Sequence, residues 1–565
     1  MRYMQKGFVM RGLLLAAVLM LTACGGTDTA EPVSTTKPPI EIPDPPKKPV
    51  PPVSTNILTP NQAARLLQQA TFGPALADIE HATTLTAEQW LDEQLAMPAT
   101  LHTPNAPDVV GKSHVSQYTR VEGWLNIALR KPDQLRQRMA FALSEIIVVS
   151  RYHPNLETQP LALINYYDIL VEHAFGNYRD LLENVAKSPV MGVYLSHMGN
   201  EKPDPERNIR SDENFAREIL QLFSIGLVDL HDNGTPMLDQ SGQTIPSYEQ
   251  NTIEAFARVF TGWSSDSPYW NVSKKDYFKP MLAFDKHHDT AEKRLLNNQV
   301  LPANQTAQQD LTDALDNIFA HKNIGPFISK QLIQRLVTSN PSTDYVARVS
   351  QVFNDNGEGV KGDLAAVAKA ILLDEEARQE PKYQQQSFGK LREPLLKTTH
   401  LWRALDANST SGRFNAYTIE STHGQAPQQA DSVFNFFRPD YTPNGQLQEL
   451  GLSAPEAQIL TDDLLIEMQN FFHSAINLSI KGQVTKANEY AMLLDFSVPA
   501  KLLTDQGTIA LLDRYSLLFF AGEMPIALRE VLSSVDERLH ELNAEQRAAA
   551  LLYLVFISPD YAVQL

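Results

Sequence analysis

The chain has 565 residues, 66 acidic against 48 basic, a formal net charge of -18 and one Cys. The acid excess argues against a protein that coats nucleic acid, because phosphate neutralisation needs surplus Lys and Arg. One Cys excludes an intrachain disulfide and every multi-Cys zinc or iron–sulfur site, while 43% hydrophobic and 20% charged residues are ordinary globular values.

Residues 1–23 carry Arg2, Lys6 and Arg11, then an apolar run from Gly12 to Leu21. A positive start followed by so short an apolar run reads as an export signal rather than a membrane span. It ends in Leu21-Thr22-Ala23-Cys24, which resembles a bacterial lipobox. That resemblance implies cleavage before Cys24 and acylation of this residue, with several acyl chains giving a stable membrane anchor. Gly25, not Asp, follows the Cys, which favours the outer membrane, facing periplasm or cell surface. Residues 24–56 then hold 9 of the 36 Pro. Such sequence cannot bury a core and favours extended polyproline II, a semi-rigid tether of up to ~100 Å. Loss of residues 1–23 removes three positive charges and takes the chain from -18 to -21.

From Ile57 to Leu565 the dominant period is that of a helix, and the fold class is mainly α, roughly 15–20 helices in one body or two lobes, with few short strands. Thr59-Pro60-Asn61-Gln62 and Thr86-Ala87-Glu88-Gln89 read as capping boxes. Asp133 is placed to cap a helix with Leu135, Met139 and Leu143 on one face. Further helices are expected near 161–174, 177–187, 212–226, 251–261, 306–320, 324–338, 343–354, 361–373, 390–405, 454–478 and 544–556. Gln299-Val300-Leu301 is a short strand candidate. Residues 230–246, with Asn233-Gly234 and Ser241-Gly242, read as two turns and a small hairpin. Asn354–Gly359 superficially matches a calcium loop, but Ala365 stands where a bidentate Glu is required, so an inter-helix turn with Asp363 near the next helix start is the better reading.

Three segments could carry chemistry. In Asp212–Phe223, the residues Phe215, Ile219, Leu222 and Phe223 form an apolar stripe; Asn214, Arg217 and Gln221 lie opposite, with Glu218 at the flank. The alternative is a solvated face stapled by Glu213–Arg217. In Glu254–Trp263, Glu254 and Arg258 pair at i,i+4, Gly262 ends the helix, and Trp263 opens a loop with Tyr269, Trp270, Tyr277 and Phe278. Those aromatics either stack on a flat ligand or pin the loop to the body. Phe284-Asp285-Lys286-His287-His288-Asp289-Thr290, followed by Lys293, is the most metal-like cluster, since imidazole and carboxylate suit a divalent ion. Neighbouring residues on an extended segment point opposite ways, so one of His287 and His288 would ligate with Asp289, and Glu218 and Glu254 are the natural further donors. The alternative is His and Asp bonding loop backbone. There is no His-Glu-x-x-His, Gly-x-Ser-x-Gly elbow, P-loop or dinucleotide fingerprint, and the body has no thiol.

Several segments in order resemble a bacterial family, the domain of unknown function 1800: Ala64-Arg65-Leu66-Leu67-Gln68-Gln69-Ala70-Thr71-Phe72-Gly73-Pro74, Glu213–Glu218, Ala257–Trp263, His288-Asp289-Thr290 with Lys293, Lys390-Leu391-Arg392-Glu393-Pro394 and Ser432–Phe437. Gln221 stands where the family usually has Glu, and the 229–249 loop is longer than the common form. The resemblance implies a mainly helical exported protein without assigning a reaction, and an exported partner from the domain of unknown function 1501 family.

Two functions are expected. The first is an envelope enzyme, a metal-dependent hydrolase in which Glu218, Arg217, Asn214 and Lys293 act on the substrate. His288 or His287, with Asp289 and Glu254, would hold a divalent metal, and Trp263 and Arg258 would line the cleft. The second is a non-enzymatic binding or assembly lipoprotein acting with the exported partner. Nucleic acid is not an expected ligand.

Overall fold

Helical spacing of apolar residues decides the architecture. The computed structural model describes residues 56–104, 115–267, 269–270, 275–380, 387–414, 416, 418–481 and 489–565. The export signal, Cys24 and the Pro-rich tether lie outside the described residues. Among these residues are 23 α-helices and three two-residue antiparallel ladders. The helix count exceeds 15–20 because several are single turns, such as Glu375–Arg378 and Pro559–Ala562. Residues 51–565 form one unit rather than two lobes, around a contiguous core that runs from Leu58 to Tyr561. Among the described residues no helix is long and apolar enough to cross a membrane.

Local chemistry sets many helix starts. Thr59 Oγ1 accepts from Gln62 N at 3.3 Å while Gln62 Oε1 accepts from Thr59 N at 3.0 Å, and Thr86 and Gln89 repeat the exchange. Asp363 caps Leu364–Leu373 through Ala365 N and Ala366 N, so residues 354–363 are an inter-helix turn. Val300–Leu301 is a strand, paired with Lys293–Arg294, and bridges Leu230↔Pro236 and Leu238↔Thr244 fold the long loop into turns. Asp133 does not cap its helix. Its carboxylate takes Thr100 N and Thr100 Oγ1 at 2.8 Å each and Gln137 Nε2 at 3.0 Å, and so ties down a distant loop.

The ends of the body meet. Gln68 Nε2, on the helix Pro60–Ala70, donates to Leu518 O, and Lys390–Leu391 pairs with Val563–Gln564. Behind that ladder lies a buried ionic network: Lys390 Nζ stands 3.2 Å from Glu393 and 3.1 Å from Glu456, and Gln425 bridges Glu393 and Glu145, whose Oε2 has no hydrogen-bond partner. Burial and the neighbouring Glu393 push the Glu145 carboxyl well above the usual range.

Candidate functional site

The helices Asn214–Gln221 and Gln250–Val259 pack together over the apolar faces anticipated from their periodicity. Phe215 stacks on His197 at 3.9 Å and meets Phe260 edge-on at 4.8 Å. Asn200 ties both helices to one loop: its side chain accepts from Asp212 N, and its carbonyl accepts from Gly262 N. Gly262 has φ +81°, and a Cβ there would stand 2.8 Å from His288 Cβ. Only glycine lets the chain pass this close, which gives the Thr261-Gly262-Trp263 sequence a packing reason.

Beyond Gly262 the His288 segment is locked. His288 is fully buried; Nδ1 donates to Thr261 O at 2.9 Å, and Nε2 faces Asp310 Oδ2 at 3.0 Å. Lys293 Nζ shares that carboxylate oxygen at 2.7 Å and also donates to Ala291 O and Asp289 O. Asp289 N donates to Thr261 Oγ1, and the Asp289 carboxylate accepts from Ala291 N with Arg258 at 3.7 Å. Arg258 therefore pairs toward Asp289 and Glu292 O rather than with Glu254, which is exposed. His287 faces outward, stacked on Trp270 at 4.2 Å and 3.2 Å from Glu201.

This arrangement does not fit the anticipated metal site. Both ring nitrogens of His288 are engaged, and His287, the last residue of the 3-10 turn Asp285–His287, lies against Trp270 and Glu201 instead. Among the described residues no group of three or more His, Cys, Asp or Glu could hold a metal ion. Of the proposed residues, His288, Asp289, Lys293 and Arg258 come together, joined by Asp310. That residue gave no sequence signal beyond an acidic residue in a first helical turn. Trp263 is 3% exposed, too covered to stack on a ligand. Its ring lies under Lys187, with Nζ 6.0 Å from the centroid.

Glu218 belongs to a different group. It is 6% exposed, and its Oε2 has no hydrogen-bond partner. Burial pushes its carboxyl above the ordinary value, opposed by Arg217. Arg217 is held by Glu213 at 3.0 Å, Gln250 bonds the same carboxylate oxygen, and Asn214 is exposed. Two tyrosines missed by the sequence reading lie within reach of the Glu218 charge. Burial pushes Tyr248 up to about 12, with Arg217 pulling against that shift and Glu218 adding to it; its hydroxyl also lacks a partner. Burial and then Glu218 raise Tyr194, whose ring meets His153 edge-on at 6.1 Å. Tyr248 ends the long 229–249 loop, and its place just before the helix Gln250–Val259 was the available clue.

Glu218 is thus a covered carboxyl with one oxygen unpaired, whose charge is felt by Tyr194 and Tyr248, on a mainly helical scaffold. The sequence model of the family described as Protein of unknown function (DUF1800) matches residues 65–563, and the chain belongs to that family. No curated protein and no solved structure gives a significant match.

Proposed function

We propose that the protein is an envelope lipoprotein, anchored through Cys24 and facing periplasm or cell surface, whose body is a hydrolase-like enzyme with Glu218 as general acid. The observation that carries this reading is the Glu218 carboxyl: covered, raised by burial and with one oxygen unspent. A carboxyl raised toward neutral pH can deliver a proton to a leaving group, and Arg217 and Tyr248 beside it suit an anionic or hydroxyl-rich substrate. No step is assigned to a metal, because His288, Asp289 and Glu254 do not converge.

The test is hydrolysis of chromogenic ester and glycoside panels by the purified chain, with a pH profile. Activity should fall as Glu218 ionises, and Glu218→Gln should lower the rate by about 100-fold or more. A Glu218→Gln variant with undiminished turnover would overturn the assignment.

One observation favours the second reading, a binding or assembly role with the exported partner of the domain of unknown function 1501 family. Ile509, Ile526 and Val531, at 71%, 76% and 56% exposure, stand on the consecutive helices Ser497–Phe520 and Ile526–Arg538. Where exposed aliphatics join into one patch they mark a docking surface. Under this reading the two proteins copurify from crosslinked membranes, and Ile526→Glu breaks the complex.

A further inference from the structure

A cavity of about 600 Å³ lies where the first helix meets the end of the chain. Its walls include Arg65, Gln68, Arg378, Arg392, Glu380, Glu523 and Asp560. Arg65 and Gln68 come from the first family segment and Arg392 from the Lys390–Pro394 segment, so two stretches singled out in the sequence converge on one hollow. The Glu218 site uses neither.

The three arginines are held by carbonyl and amide oxygens. Arg65 is 4% exposed; Nε donates to Ala377 O at 3.2 Å, and both terminal nitrogens lack a hydrogen-bond partner. Arg378 donates to Gln69 Oε1, while its Nε is unpartnered. Arg392 is fixed by Tyr561 O at 3.0 Å and Gln68 Oε1 at 2.9 Å, over the Tyr561 ring. Burial pulls Arg65 down to about 10, opposed by Glu523 and Glu380, and pulls Arg378 down to about 9, with Arg65 adding to that shift. A buried guanidinium with free donors is costly, whereas the buried Lys390 ammonium has Glu393 at 3.2 Å and Glu456 at 3.1 Å.

We propose that this cavity binds a small oxyanion-bearing molecule, with the Arg65 guanidinium as the fork for the anion and Arg378 beside it. Glu523 and Asp560 on the same walls would repel a bare dianion and suit an ammonium. The ligand class is therefore an ampholyte, an amino acid or short peptide, whose carboxylate meets the arginines and whose amine meets the acids. A cavity of this volume is of ordinary small-ligand size.

The test is calorimetric titration of the full chain in mild detergent, at constant ionic strength, with glycylglycine, succinate and inorganic phosphate. Glycylglycine should bind with Kd at or below about 1 mM, tighter than the other two. Arg65→Gln should weaken it by at least about tenfold. If that variant does not fold, Arg378→Gln serves in its place. Hydrogen exchange of the intact protein gives an independent readout: the helix Pro60–Ala70 and residues 559–565 should gain protection with glycylglycine. Absence of binding by all three probes, or an affinity unchanged in Arg65→Gln or Arg378→Gln, would sink the proposal. Phosphate or succinate binding as tightly as the dipeptide would overturn the ampholyte assignment.

Discussion

The His288 cluster and the Glu218 group occupy the same body, are both covered, and differ in how their polar atoms are used. Around His288 both ring nitrogens, the Lys293 ammonium and the Asp289 amide have partners; among the side chains joined there, only Asp310 Oδ1 is spare. Around Glu218, one carboxylate oxygen and the Tyr248 hydroxyl are left over. A satisfied network rigidifies the chain, whereas unspent buried capacity lowers stability, and the His288 cluster is satisfied everywhere but at Asp310 Oδ1. The segment richest in metal-like residues is thus tied into the fold, and the quieter helix beside it carries the carboxyl proposed above as general acid. Residue type alone could not make that distinction, because partners decide it.

The largest effect should come from removing the hub of the fastening. Asp310→Ala leaves the Lys293 ammonium and the His288 ring buried without their shared carboxylate. Breaking one partner of a buried ionic cluster costs about 3–5 kcal/mol, so the urea midpoint should fall steeply. A loss below about 1 kcal/mol would mean that the cluster is not what closes this region. Gly262→Ala should come next, at about 1–3 kcal/mol, since the new methyl meets His288 at 2.8 Å from a backbone of positive φ. Both variants act through folding and should leave the pH dependence of any residual activity unchanged.

What was legible in the sequence follows the range of the interactions. The Thr59 and Thr86 boxes and the Asp363 cap were readable because both partners lie within three residues. Asp133 was misread because its partner, Thr100, is 33 residues away. The helices Gln117–Arg130 and Ile526–Arg538 were not anticipated, nor was Ser497–Phe520, whose pattern is interrupted by Gly507 at φ +85°. In the candidate site, Glu218 and Arg217 were named together, but the two tyrosines were not. Tyr194 and Tyr248 come from separate elements, and the convergence of Arg65 with Arg392 is likewise a product of the tertiary fold.

The smallest effect sharpens the comparison most. Glu218→Gln keeps the shape of the side chain and removes its charge, so at neutral pH stability should change by less than about 1 kcal/mol, in contrast to Asp310→Ala. Its signature lies in pH. Because burial raises the Glu218 carboxyl above its ordinary value near 4.5, the folded state binds its proton more tightly than the unfolded chain does. The contribution of this group is therefore fully present below that value and is lost as pH rises through the folded value. Urea midpoints of wild type and Glu218→Gln, compared from acid to neutral pH, should show the variant gaining on wild type as pH climbs. A difference that stays flat across the range would mean that Glu218 ionises as readily in the fold as outside it, and the contrast with the His288 cluster would lose its physical basis.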